Sequence, residues 1–175
     1  SLRAHRGLHA GGFAVQRLLR RAQTFGFHLA TLDLRQDSAM HDAALAALLG
    51  DADWSTRTVD ARVARLQALL GGTERIAASS DDTARRTLAV FRTVAELRPR
   101  YGERAFGPYI VSMSRSAADA LAVLALARIA GCVDDDGRVP LDVAPLFETV
   151  ADLDAAEGVV RALFADPLYR AHLAA

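Results

Sequence analysis

The stretch FGFHLATLDLRQDS, residues 25–38, constrains this chain more than any other. Within it, residues 28–34 carry Leu29, Thr31, Leu32 and Leu34, a short apolar and β-branched run that reads as a buried strand. The run stops on Arg35, Gln36, Asp37 and Ser38, and a helical pattern follows at once. A strand, a charged corner and a helix make one β/α unit. In β/α barrels the residues at the C-terminal ends of strands face the active site. Arg35 is therefore the first candidate for chemistry.

Two later units repeat this grammar. YIVSM, residues 109–113, reads as a second strand introduced by Gly107 and Pro108. Ser116 and Asp119 then make a capping box into a helix that is apolar nearly all round, so buried, and closed by Gly131. LDVAPLF, residues 141–147, reads as a third strand ending at Glu148, and Thr149 with Asp152 makes the next capping box. Asp166 and Pro167 open a final short helix.

Helices fill the remainder. Residues 13–24 set Phe13, Leu18, Leu19 and Ala22 against Arg17, Arg20 and Arg21, an amphipathic helix expected to pack on a core. Asp37 or Ser38 caps a helix with Ala44, Leu45, Leu48 and Leu49 as its apolar positions, ending at Gly50. Residues 58–70 place Val59, Val63, Leu66 and Leu70 on one face, and Gly71 and Gly72 stop the pattern. Residues 81–98 form a long helix carrying Leu88, Phe91, Ala95 and Leu97, with Pro99 expected to end it. Residues 1–12, 51–57 (with Trp54), 73–80 and the acidic turn 134–138 read as connections. Arg3, His5, Arg6 and His9 fit no ligand spacing.

Strands alternating with helices argue a parallel sheet. Only about three strands are present, too few for a closed eight-stranded barrel. The expected fold is helix-rich α/β: a partial TIM-type β/α barrel with about three parallel strands and inserted helices, residues 1–175 forming one segment.

The chain holds 21 basic and 21 acidic residues, so net charge offers no pull toward nucleic acid or an anionic membrane. Every basic residue is Arg, which grips carboxylate or phosphate with two parallel donors, although a GC-rich genome is the blander explanation. Cys132 is the single cysteine, which excludes an internal disulfide. No run is long enough to span a membrane, and no signal peptide is visible. A soluble cytoplasmic protein is expected. The absence of an initiator Met suggests a piece of something longer.

The three strands end in polar corners: Arg35-Gln36-Asp37, Ser112-Met113-Ser114-Arg115 and Glu148-Thr149. Parallel neighbours would bring these corners to one face. A guanidinium, hydroxyls and a carboxylate would converge there, suited to an anionic substrate held with a divalent cation. Each residue also has a purely structural explanation. Arg35 could pair with Asp33 or Asp37. Glu148 could be a first-turn acid favoured by a helix dipole. Ser112 and Ser114 could be loop and cap residues, and Asp33 needs a partner if buried. His28 and His41 suit satisfied histidines better than catalysts. No phosphate-binding glycine loop, paired-cysteine site or nucleophile elbow is present.

FGFHLATLDLRQDS resembles the barrel segment of phosphoenolpyruvate carboxylase. AFGPYIVSMSRSAADALAVLALARIAG and VAPLFETVADLDAA do so too, in that family's order and with similar spacing, and SLRAHRGLHAGG resembles the segment before its strand. Residues 51–103 resemble it weakly. The resemblance implies an enzyme that adds bicarbonate to phosphoenolpyruvate, giving oxaloacetate and phosphate, with Mg²⁺ or Mn²⁺. That is a lyase of carbon dioxide fixation feeding the tricarboxylic acid cycle, and a homo-oligomer. It further implies that Arg35 contacts substrate phosphate and that Glu148, in PLFET, is a metal ligand. The family's second carboxylate ligand, its catalytic His and its GRGGS-type loop have no counterpart here, so no catalytic residue is assigned and the chain alone is expected to be inactive. Two rival readings remain: a non-catalytic helical interaction module, and another metal-enolate barrel enzyme acting on pyruvate or phosphoenolpyruvate.

Overall fold

The computed structural model describes residues 4–26, 29–74, 76 and 79–174; His28 lies outside them. Among the described residues seven α-helices and three strands follow in the order α1 (Phe13–Phe25), β1 (Leu32–Asp37), α2 (Ser38–Leu49), α3 (Val59–Leu70), α4 (Asp82–Tyr101), β2 (Phe106–Ser112), α5 (Ala117–Ile129), β3 (Val143–Pro145), α6 (Val150–Ala165) and α7 (Pro167–Leu173). Short 3-10 turns, Trp54–Thr56 and Glu103–Ala105, precede α3 and β2. The strands form one parallel sheet in the order β1-β2-β3. The chain is thus helix-rich α/β with a three-stranded parallel sheet, the coarse architecture expected. None of the described helices is long and apolar enough to cross a membrane.

The first strand departs from expectation. It begins at Leu32 rather than near residue 28 and carries Arg35, Gln36 and Asp37 within it, because β2 pairs with β1 as far as Asp37↔Ser112. It is also largely exposed: Leu32 is 64% accessible. β1 lies at the sheet edge, and helices cover only one face. On that face Tyr109, Val111 and Val143 are buried, with Leu34 packed against them. On the other face Asp33, Arg35 and Asp37 stand open. β3 is shorter than expected, although Leu146 N–H still bonds the Val111 carbonyl at 2.9 Å beyond it. Between Leu32 and Leu34 the β1–β2 register slips by one residue. The slip falls opposite Gly107 and Pro108: proline has no N–H for the ladder, and a Cβ on Gly107 would stand 2.1 Å from an Asp33 carboxylate oxygen.

The helices follow their caps. Asp37, Thr58, Asp81 and Asp166 each accept a backbone N–H at the start of α2, α3, α4 and α7. Both expected capping boxes are present, on α5 and α6. α5 is buried continuously from Ala117 to Ala127 and forms the centre of the core with Trp54, Phe91, Leu45 and Leu66.

Three helical expectations fail. α1 forms, but none of its residues is buried, and Phe13 is 71% exposed; its apolar stripe covers no core among the described residues. Pro99 does not end α4, which runs to Tyr101 and stops at Gly102 with φ +88°. A proline this near a C-terminus removes one hydrogen bond from a turn that is already ending. α3 turns Arg62, Leu66 and Leu69 inward and leaves Val59 exposed, because Arg62 enters the ionic contact described below.

Candidate active site

The open face of the sheet brings the three corners together. Arg35 donates from Nη2 to Glu148 Oε1 at 2.6 Å and from Nε to Ser112 Oγ at 2.6 Å. The other carboxylate oxygen of Glu148 accepts the Met113 N–H at 3.1 Å. Met113 presents that N–H from a left-handed conformation, φ +56°, costly for a non-glycine residue. Ser38 Oγ donates to the Met113 carbonyl at 2.9 Å, holding the bend from the other side.

Arg35 thus pairs with neither Asp33 nor Asp37. Its partner is 113 positions away, and the parallel register explains the meeting. Arg35 stands opposite Ile110 and Val111 opposite Pro145, so the strand ends lie level. Glu148 follows β3 by three residues and does not cap α6; Thr149 does. The pair is half-open to solvent, with side-chain exposure of 55% for Arg35 and 32% for Glu148. Asp33, expected to need a partner if buried, is exposed. Ser114 is a buried structural residue, its hydroxyl donating to the Val111 carbonyl. Among the described residues there is no group of three or more His, Cys, Asp or Glu side chains able to hold a metal ion.

Beneath this face lies a polar chain that the sequence reading missed. Tyr109 Oη donates to Gln36 Oε1 at 2.8 Å, and His41 Nε2 lies 2.8 Å from the same hydroxyl. With the phenolic proton committed to Gln36, Nε2–H of His41 must be the donor, leaving Nδ1 as a bare lone pair; it has no partner. Burial pushes His41 down to about 4, against the opposing charge of Asp37, and pushes the Tyr109 phenol well above its ordinary value. The signal was in α2: His41 stands three and four residues before Ala44 and Leu45, on the buried face.

A second missed feature ties the helices together. The Arg62 guanidinium donates to both Asp42 oxygens at 2.9 Å and lies 3.9 Å from Asp119, while Trp54 Nε1 donates to Asp42 at 2.8 Å. Asp119 also accepts the backbone N–H groups of Arg115 and Ser116, so it fixes the bend that carries Met113.

The open face of this helix-rich α/β fold thus carries an arginine, a carboxylate and hydroxyl-bearing corners at the C-terminal ends of parallel strands. Comparison with known proteins gives this arrangement a family. The family model described as phosphoenolpyruvate carboxylase matches residues 1–175. The chain is 52% identical over 175 residues to the phosphoenolpyruvate carboxylase of Xanthomonas euvesicatoria pv. vesicatoria (strain 85-10), covering 100% of this chain and 19% of that protein. It is 39% identical over 180 residues to that of Rhodopseudomonas palustris (strain BisA53), covering 95% and 19%. With the enzyme of that name from Chromobacterium violaceum it shares 36% over 179 residues, covering 97% and 20%. This chain belongs to the phosphoenolpyruvate carboxylase family and spans about a fifth of the length of the curated relatives it matches.

Proposed function

We propose that this chain is an internal part of a phosphoenolpyruvate carboxylase and contributes a share of its phosphate and metal site. The observation that carries this reading is the Arg35–Glu148 contact at 2.6 Å on the open face of the sheet. Two groups of opposite charge, from strand ends far apart in sequence, are held side by side where a ligand can reach both.

Arg35 would take a phosphate oxygen with the fork it now spends on Glu148 and Ser112. The Ser112 hydroxyl and the Met113 N–H are further donors beside it. Glu148 is a hard oxygen ligand of the kind Mg²⁺ or Mn²⁺ prefers, and such ions commonly take only one or two protein carboxylates. A bound divalent cation supplies Lewis-acid stabilisation of negative charge developing on substrate oxygen. Glu148 alone makes an incomplete site, and the remaining ligands would come from substrate, water and other parts of the enzyme. The reaction supported is carboxylation of phosphoenolpyruvate by bicarbonate to oxaloacetate and phosphate, in a homo-oligomeric cytoplasmic enzyme. The sheet, bare on one face, would be three strands of a TIM-type barrel, since parallel sheets are ordinarily covered on both faces.

Kinetics on an intact carboxylase carrying this segment test the reading. Arg35→Lys keeps the charge and loses the fork, and should weaken phosphoenolpyruvate use by about tenfold to a hundredfold. Glu148→Gln should abolish metal-dependent turnover. Unchanged kinetics in either variant would return that residue to a structural role. In the chain by itself, one carboxylate should hold Mn²⁺ too weakly for calorimetry to detect.

A further inference from the structure

A hollow of about 220 Å³ lies away from the strand ends just described, between the last turn of α5, the 134–140 loop and α7. Its floor is aliphatic: Leu70, Leu124, Val139 and Leu168. Its polar lining is Arg128, Arg138 and His172, and no carboxylate lines it. Neither arginine has an ion-pair partner among the described residues. Arg138 is held in place by its backbone. Its N–H bonds the Asp134 carboxylate at 2.8 Å, and its carbonyl accepts the Asp134 N–H at 2.8 Å, with Gly137 at φ +76° closing the turn.

A second hollow adjoins this one across Arg138, Val139 and His172, and its lining includes the carboxylates Glu103, Asp134 and Asp142 as well as Arg98. There Arg98 pairs with Glu103 at 3.0 Å, and Asp142 faces His172. Burial lowers His172 from its ordinary value, against the opposing effect of Asp142, which leaves the ring neutral near pH 7 and able to donate one hydrogen bond. The first hollow is different in kind, its own lining having two arginines and no carboxylate beside aliphatic side chains.

We propose that this hollow binds a small carboxylate with a short aliphatic body, the carboxylate on Arg128 and Arg138 and the hydrocarbon on Leu124, Val139 and Leu168. At roughly 30 Å³ per water-sized volume, the hollow takes about seven or eight non-hydrogen atoms, the size of a six-carbon acid. Bidentate donation from two guanidiniums selects the carboxylate, and the aliphatic floor selects against a bare inorganic anion. The site is independent of Arg35 and Glu148.

Hexanoate is the probe, titrated into the chain with its Leu and Val methyls followed by NMR. Saturable shifts are expected at Leu124, Val139 and Leu168. Hexanol, which keeps the body and loses the charge, should bind at least tenfold more weakly, and so should inorganic phosphate. The double variant Arg128→Gln/Arg138→Gln, at two exposed positions, should lose hexanoate binding by tenfold or more. Arg35→Gln should leave it unchanged, which separates this site from the proposed phosphate site. The inference is overturned if hexanoate moves none of these methyls, if hexanol or phosphate matches it, if the double variant still binds, or if Arg35→Gln removes binding.

Discussion

His41 gives the sharpest test of the structure, because its environment sets both the sign and the size of an effect. It is fully buried in α2, its Nε2 facing Tyr109 and its Nδ1 facing no partner. Asp37 is the one charged group that acts on it appreciably, and burial outweighs it. A pKa lowered from 6.5 to about 4 means that the unfolded chain takes up a proton first as pH falls. Stability is therefore full above pH 6.5, declines as pH drops toward 4, and is flat below. The whole shift corresponds to about 3 kcal/mol, and about 2 kcal/mol of it is gone at pH 5. Urea unfolding at pH 7 and pH 5 measures this. His41→Gln retains a donor toward Tyr109 but does not titrate. Whatever the variant loses equally at both pH values, the loss between them should shrink by about 2 kcal/mol relative to wild type. His172 shifts in the same direction, and the difference between the two proteins removes its contribution. Equal pH dependence in both, or an NMR titration of His41 centred near 6.5, would refute the reasoning.

Arg62→Ala should cost about 3–5 kcal/mol in urea unfolding, because it strands Asp42 and Asp119 in a largely buried setting. Glu148→Gln should cost less than about 1 kcal/mol, since the Arg35 pair is half solvated; a loss above twice that would make the pair structural. The exposed apolar stripe of α1 and the bare edge strand should make the chain self-associate. A monodisperse monomer across a wide concentration range by light scattering would count against that.

What was legible in the sequence was whatever short-range chemistry determines. Caps, glycine stops and the all-apolar 117–130 pattern gave the helices, since a capping box needs only residues three apart. The polar corners gave Arg35 and Glu148, and the structure brings them into contact. What escaped depends on partners distant in sequence. The strand limits were misjudged because β1 extends as far as β2 will pair with it, and no local pattern at residues 35–37 records that. An apolar run beside a charged corner reads as buried, but one face of β1 has no covering layer. The inward turn of Arg62 follows from Asp42 and Asp119, twenty and fifty-seven positions away. Its sign was a charge within an apolar helical stripe, a pattern more often produced by a solvated face.

If the face binds ligands as proposed, the Arg35–Glu148 contact would also limit how they use it. Each group is the other's counter-charge, and each has one backbone or hydroxyl partner besides, Met113 N–H for Glu148 and Ser112 for Arg35. An anion that takes Arg35 alone must draw it from Glu148 and leave a carboxylate without its cation. A cation that takes Glu148 alone leaves a guanidinium beside a new positive charge. At about 4 Å two like unit charges oppose each other by about 1 kcal/mol in water and by more near a protein surface, and a divalent ion doubles this. A phosphate and a divalent cation arriving together incur neither cost, because each replaces the counter-charge that the other removes. On the proposed reading, then, the ion pair makes each ligand of the site favour the other. It does so through two side chains that the sheet has fixed in place before either ligand arrives.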